Sequence, residues 1–114
     1  MRDYIHVTDL AKAHVAALSK QEELKGYNTF NLGTGKGTSV LELVAAFESS
    51  TGVKIPTQIQ SRRDGDAAEA VAMPDKANQV LKWKTELTIE DACKDNWKWG
   101  KMNPGGYEGG LKIE

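Results

Sequence analysis

Apolar residues recur at helical spacing in four stretches of the chain, while two short stretches alternate in polarity instead. In DLAKAHVAAL, Leu10, Ala13, Ala17 and Leu18 fall on one face, and Thr8 or Asp9 is suited to cap a helix running to about Lys20. KGYNTFNLG reads as a turn followed by a strand from Asn28 to Leu32. Ser39 and Glu42 have the spacing of a capping box, opening a helix that carries Val40, Leu43, Val44 and Phe47. TGVKIP ends that helix, TQIQ has the alternation of another strand, and SRRDGD is a charged turn. Pro74 suits the first turn of a short helix that points Ala77, Val80 and Leu81 inward. Thr88 and Asp91 cap a last helix with Ile89, Ala92, Cys93 and Trp97 on one stripe. Beyond Gly100 glycine and polar residues dominate, and a loose tail is expected. The pattern predicts an α/β chain of about four helices with two or three short strands, too few strands to bury both faces of a sheet.

Size and charge narrow the picture. A chain of 114 residues suffices for one domain with a modest core. With 15 Lys and Arg against 16 Asp and Glu, interspersed, there is no basic face for a phosphate backbone, so nucleic acid is not an expected partner. Apolar runs of only a few residues do not span a membrane, and no charged start leads into an apolar stretch as in a secretory signal. Cys93 is the one cysteine, which excludes an intrachain disulfide and a cysteine-rich metal site and fits a reducing, cytoplasmic location. No basic residue or helix N-terminus is placed to activate Cys93, so a small buried helix residue is expected there.

Two stretches have the composition of a ligand site. NLGTGKGTS joins a strand, a glycine-rich turn and a helix start, the arrangement in which backbone amides attract anions. Its details depart from the known phosphate loops: Lys36 is followed by Gly37 instead of Ser or Thr, and Thr38 stands where a dinucleotide fingerprint needs its third glycine. A tight connection is therefore the better reading of this loop. SRRDGD allows two readings, a solvated charged turn or a site in which one arginine forks onto phosphate and Asp66 accepts from sugar hydroxyls. His6 and His14, eight apart, suit neither a helical metal pair nor a catalytic triad and are read as structural. Trp83, Trp97 and Trp99 are read as packing residues. No tyrosine is followed four positions later by lysine, so the Tyr-Lys pair that transfers protons beside a nicotinamide is not in this sequence.

Taken in order, RDYIHVTDLAKAHVAAL, YNTFNLGTGKGTSVLELVAAFE, RRDGD, DKANQVLKW and DNWKW…NPGGY closely resemble the C-terminal third of UDP-glucose 4-epimerases, which are extended short-chain dehydrogenase/reductases. The resemblance implies a substrate-binding lobe over residues 1–103, with residues 1–35 packing on a Rossmann domain not in this sequence, and a tail over 104–114. It gives Arg2 and Tyr4 to the UDP-sugar site, Val40 to a position against the nucleotide, Arg63 to the diphosphate and Asp66 to the ribose hydroxyls. It gives Arg62 no contact, and it places alanine at position 70, where such enzymes often carry Tyr or Cys. Neither catalytic, cofactor-binding nor metal-binding residues are expected among these 114. NAD and the proton-transfer pair belong to the absent domain, so the chain alone is expected to be inactive. UDP-glucose and UDP-galactose are the implied substrates and a homodimer the implied assembly of the whole enzyme. The same lobe from a related dehydratase or decarboxylase, and a non-catalytic binding or assembly module, are the alternatives.

Overall fold

The computed structural model describes residues 1–107 and contains four helices: α1 (Val7–Ser19), α2 (Val40–Thr51), α3 (Asp75–Val80) and α4 (Ile89–Met102). Two of the starts are those expected. Ser39 accepts from the Glu42 amide while the Glu42 carboxylate accepts from the Ser39 amide, and Thr88 and Asp91 repeat the same reciprocal pair on α4. Gly52, at φ 72°, closes α2 in the left-handed conformation that glycine adopts without a Cβ clash.

The start of α1 differs from expectation. His6 is the cap, its Nδ1 accepting from the Thr8 amide at 3.0 Å. Asp9 lies inside the helix and is buried, its carboxylate accepting from the amides of Glu86 and Leu87 at 3.0–3.2 Å. A carboxylate committed to amides of a distant segment is not free to turn back onto its own helix. Val80 is also corrected, since α3 ends there with Val80 at the surface while Leu81 and Trp83 turn inward. Helix α4 runs through Gly100 to Met102, two residues into the expected tail. The tail expected over 104–114 lies outside the described residues from 108 onward.

Neither expected strand is present. Residues 28–32 and 57–60 form no strand and have no ladder partners among the described residues. Alternating polarity selects a face, but a strand needs a neighbour to take its amides and carbonyls, and no described segment pairs its backbone with either one. Pairing occurs instead at Arg2, which bridges Thr38 antiparallel and Ala70 in parallel. Arg2 and Thr38 exchange both backbone bonds, at 3.0 and 2.8 Å, and the Ala70 amide donates to the Met1 carbonyl at 3.0 Å. Three segments remote in sequence thus meet at residues 2, 38 and 70.

Packing is divided between two clusters. Ala13, Ala77, Leu81 and Trp83 are buried together, flanked by Ile5, Ala16, Ala17, Leu24, Phe30 and Leu32. The indole Nε1 of Trp83 donates to the Asp9 carbonyl at 2.9 Å, so this large side chain is buried with its polar atom satisfied. The second cluster joins α2 and α4 through Ala46, Cys93 and an edge-to-face contact of Phe47 with Trp97, ring centres 5.9 Å apart.

Candidate functional site

Arg2 and Thr38, two of the three residues that meet at this junction, line a cleft of about 270 Å3. Arg2, Tyr4, Val40, Arg63 and Asp66, the five residues singled out in the sequence, all line it. Local structure explains how each arrives. Pairing of Arg2 with Thr38 sets residue 38 at the rim, Ser39 caps α2 immediately afterwards, and Val40, its first helical residue, is therefore presented beside the cleft. Opposite, residues 63–66 form a turn in which the Asp66 amide donates to the Arg63 carbonyl at 3.4 Å, with Gly65 at φ 79°. A four-residue turn returns its ends to each other, so Arg63 and Asp66 become neighbours.

The charges of the cleft are linked. Arg63 Nε and Nη2 both lie 3.1 Å from Asp66 Oδ2, and Arg2 Nη2 lies 3.5 Å from Asp66 Oδ1. Arg2 is aimed by its other nitrogen, which donates to the carbonyls of Met1 and Ala67 at 2.9 and 3.0 Å. Arg62 lines the cleft as well and has no ion-pair partner among the described residues. Three guanidinium groups and one carboxylate thus converge on a surface depression. Such a set suits a ligand with phosphate at one part and hydroxyl donors at another.

The cleft wall is held from behind by Asp3, a residue to which the sequence pattern gave no role. Its Oδ1 accepts from the Thr34 amide at 3.0 Å and the Thr34 hydroxyl at 2.6 Å. Its Oδ2 accepts from the amides of Gly35 at 2.9 Å and Ala72 at 3.3 Å. Burial raises its pKa, but the bonds from Thr34, Gly35 and Ala72 outweigh that and leave it below the ordinary aspartate range. The only signal available in the sequence was its place between two candidate residues. Gly33 has a packing reason to be glycine, since an added Cβ would meet the Ala72 Cβ and the Asp3 carboxylate, each at 2.6 Å.

The sequence profile described as GDP-mannose 4,6 dehydratase matches residues 1–96. A UDP-glucose 4-epimerase of Cyamopsis tetragonoloba is 51% identical over 111 residues, covering 96% of this chain and 31% of that protein. The UDP-glucose 4-epimerase of Mus musculus is 50% identical over 107 residues, 94% of this chain and 31% of its own. Among solved structures, the Stenotrophomonas maltophila enzyme with bound NAD and formylated UDP-arabinopyranose superposes with a TM-score of 0.86 at 48% identity, over 90% of this chain and 31% of that one. The Bifidobacterium longum UDP-glucose 4-epimerase in complex with NAD+ and UDP gives 0.83 at 46% identity, over 92% and 31%. The chain belongs to the family that this profile describes, within the extended short-chain dehydrogenase/reductases, and these relatives at about half identity are UDP-glucose 4-epimerases. It spans about a third of the length of these relatives.

Family membership raises the question whether the glycine-rich loop at 33–37 could hold NAD. It does not fit. The amides of Thr34 and Gly35, which would have to face a phosphate, already donate to the Asp3 carboxylate. A second anion there would displace or repel the first. The loop is a structural clasp with its own internal anion.

The remaining candidates have structural roles. His6, buried, caps α1 through Nδ1, and its Nε2 lies 2.9 Å from Asp95 Oδ2. His14 Nδ1 is 2.8 Å from the Leu10 carbonyl of its own helix. Cys93 is buried; burial pushes its thiol pKa up and Glu90 adds to the shift, the opposite of activation. Trp83 and Trp97 pack as expected, whereas Trp99 is half exposed.

Proposed function

We propose that the chain is the substrate-binding part of an NAD-dependent UDP-glucose 4-epimerase interconverting UDP-glucose and UDP-galactose. The observation that carries this is the convergence of Arg2, Tyr4, Val40, Arg63 and Asp66, drawn from three separate stretches of sequence, on one cleft. In this reading Arg63, with Arg2, binds the diphosphate, Asp66 accepts the ribose hydroxyls, and Val40 and Tyr4 lie against the nucleotide and sugar. Hydride transfer at the sugar would come from NAD held outside these residues. These residues supply binding and orientation, and the 114 residues alone, without a Tyr-x-x-x-Lys pair, do not turn over substrate. The whole enzyme is proposed to be a cytoplasmic homodimer serving galactose metabolism. The family profile carries a dehydratase's name, which favours as a second reading a related nucleotide-sugar dehydratase. Relatives at about half identity that are named as epimerases favour the first.

Titration of UDP into the chain by calorimetry tests the proposal. Removing a charge-assisted bond to phosphate with Arg63→Ala is expected to weaken binding about ten- to a hundredfold. Arg62→Ala is expected to cost less, because Arg62 has no neighbour to orient it. Equal losses would mean that the turn acts as a diffuse positive patch, and the assignment of Arg63 would fall. The same titrations with UDP- and GDP-sugars separate the two readings.

A further inference from the structure

The cleft contains a feature that binding alone does not require. Its carboxylate sits between two of its arginines, occupying both. Asp66 Oδ2 takes Arg63 Nε and Nη2 at 3.1 Å each, while Oδ1 faces Arg2 Nη2 at 3.5 Å. An anion entering the cleft therefore finds Arg62 unpaired among the described residues but the other two guanidinium groups already paired, with a negative charge between them. To bind, it must draw Arg2 and Arg63 away from Asp66 and tolerate the carboxylate at close range.

We propose that Asp66 makes the cleft selective for phosphates carrying an adjacent diol, by masking Arg2 and Arg63 against phosphates that carry none. This rests on the reading of the cleft as a nucleoside-diphosphate site and adds a discriminating role to it. A nucleoside diphosphate brings ribose hydroxyls that donate to Asp66 as the arginines turn to its phosphates, so every charged group keeps a partner. Free pyrophosphate takes the same arginines and leaves the carboxylate unpaired beside it. Specificity is a difference between affinities, and a group that penalises the wrong ligand contributes to it as fully as one that attracts the right ligand. The geometry is suited to this because the turn, closed by the Asp66 amide on the Arg63 carbonyl, sets the backbone of Asp66 beside Arg63 and places its carboxylate within reach of both arginines.

The test is to titrate uridine diphosphate and inorganic pyrophosphate into the full chain and into Asp66→Asn, at one constant low ionic strength. Asp64→Asn serves as the control. It removes the same charge from the same turn, but Asp64 makes no ion pair with these arginines. For partly exposed pairs the expected effect is moderate. Asp66→Asn should bind pyrophosphate about three- to tenfold more tightly and uridine diphosphate about tenfold more weakly, collapsing the preference, while Asp64→Asn shifts both ligands equally and slightly. Unchanged or weaker pyrophosphate binding in Asp66→Asn overturns the proposal, as does an equal response from Asp64→Asn, which would reduce the effect to net charge. If the unaltered chain binds no uridine diphosphate, the reading of the cleft fails and this inference with it. If it binds but pyrophosphate does not tighten, the inference alone fails.

Discussion

At the residue scale, Asp3 is the side chain that braces the cleft from behind. It joins the segment bearing Arg2 and Tyr4 to the turn at Thr34 and Gly35 and to Ala72, so three loops share one carboxylate. Because its folded pKa lies below the unfolded value, it stabilises the fold above the usual carboxylate range. That contribution is lost as pH falls through the depressed value. Asp3→Asn cannot accept at both oxygens and should lower stability by about 1–3 kcal/mol at neutral pH. Its melting temperature should also depend less steeply on pH between neutrality and about pH 3. Melts that match the unaltered chain at both ends of that range would remove Asp3 from this role. The capping carboxylates of Glu42 and Asp91, whose pKa values are lowered by bonds from Ser39 and Thr88, leave a residual acid dependence of the same sign.

At the scale of elements, α1 is the helix whose anchoring lies outside its own sequence. An imidazole that accepts at Nδ1 carries its proton on Nε2, and that nitrogen is 2.9 Å from Asp95 on α4. His6 therefore caps α1 and ties it to α4 with one ring. His6→Ala should cost about 0.5–2 kcal/mol, as loss of a cap does, and hasten hydrogen exchange at the Thr8 amide. Asp95→Asn retains an oxygen that can accept from Nε2, and Asp95 is mostly exposed, so it should cost much less. Equal effects of the two substitutions would show that the Asp95 bond, and not the cap, holds α1. The capping boxes of α2 and α4, by contrast, were plain in the sequence, since they depend on residues three apart and on nothing distant.

The whole molecule is more open than a chain of its length usually is. Its Cα radius of gyration is 17.3 Å, where about 13 Å is typical of a compact domain of this size. Leu18 and Val15 on α1 are largely exposed, together with Leu41 and Ile59, and an apolar cleft of about 370 Å3 lies between Tyr4, α2 and α4. Every hundred Å2 of apolar surface left in water forgoes roughly 2.5 kcal/mol. On its own the chain is therefore expected to melt at low temperature, or to associate so that its melting temperature rises with protein concentration. A sharp melt at high temperature, independent of concentration and coming from a monomer by sedimentation, would contradict this.

The sequence by itself determined what local spacing governs: four helices, two capping boxes, a turn whose ends bring Arg63 to Asp66, and the ordered motifs that mark the family. Alternation at 28–32 and 57–60 predicted strands that are not there, because alternation describes a face and pairing requires a neighbour. What joins residues 2, 38 and 70, places Asp9 on the amides of Glu86 and Leu87, and sets Asp3 on Thr34, Gly35 and Ala72 acts across separations of about thirty to eighty residues. No local pattern encodes such a contact, since it depends on where the chain returns in space. For that reason the sequence could name the five cleft residues through resemblance, but only the tertiary structure decided that Asp66 stands between Arg2 and Arg63 and that Asp3 braces the wall behind them.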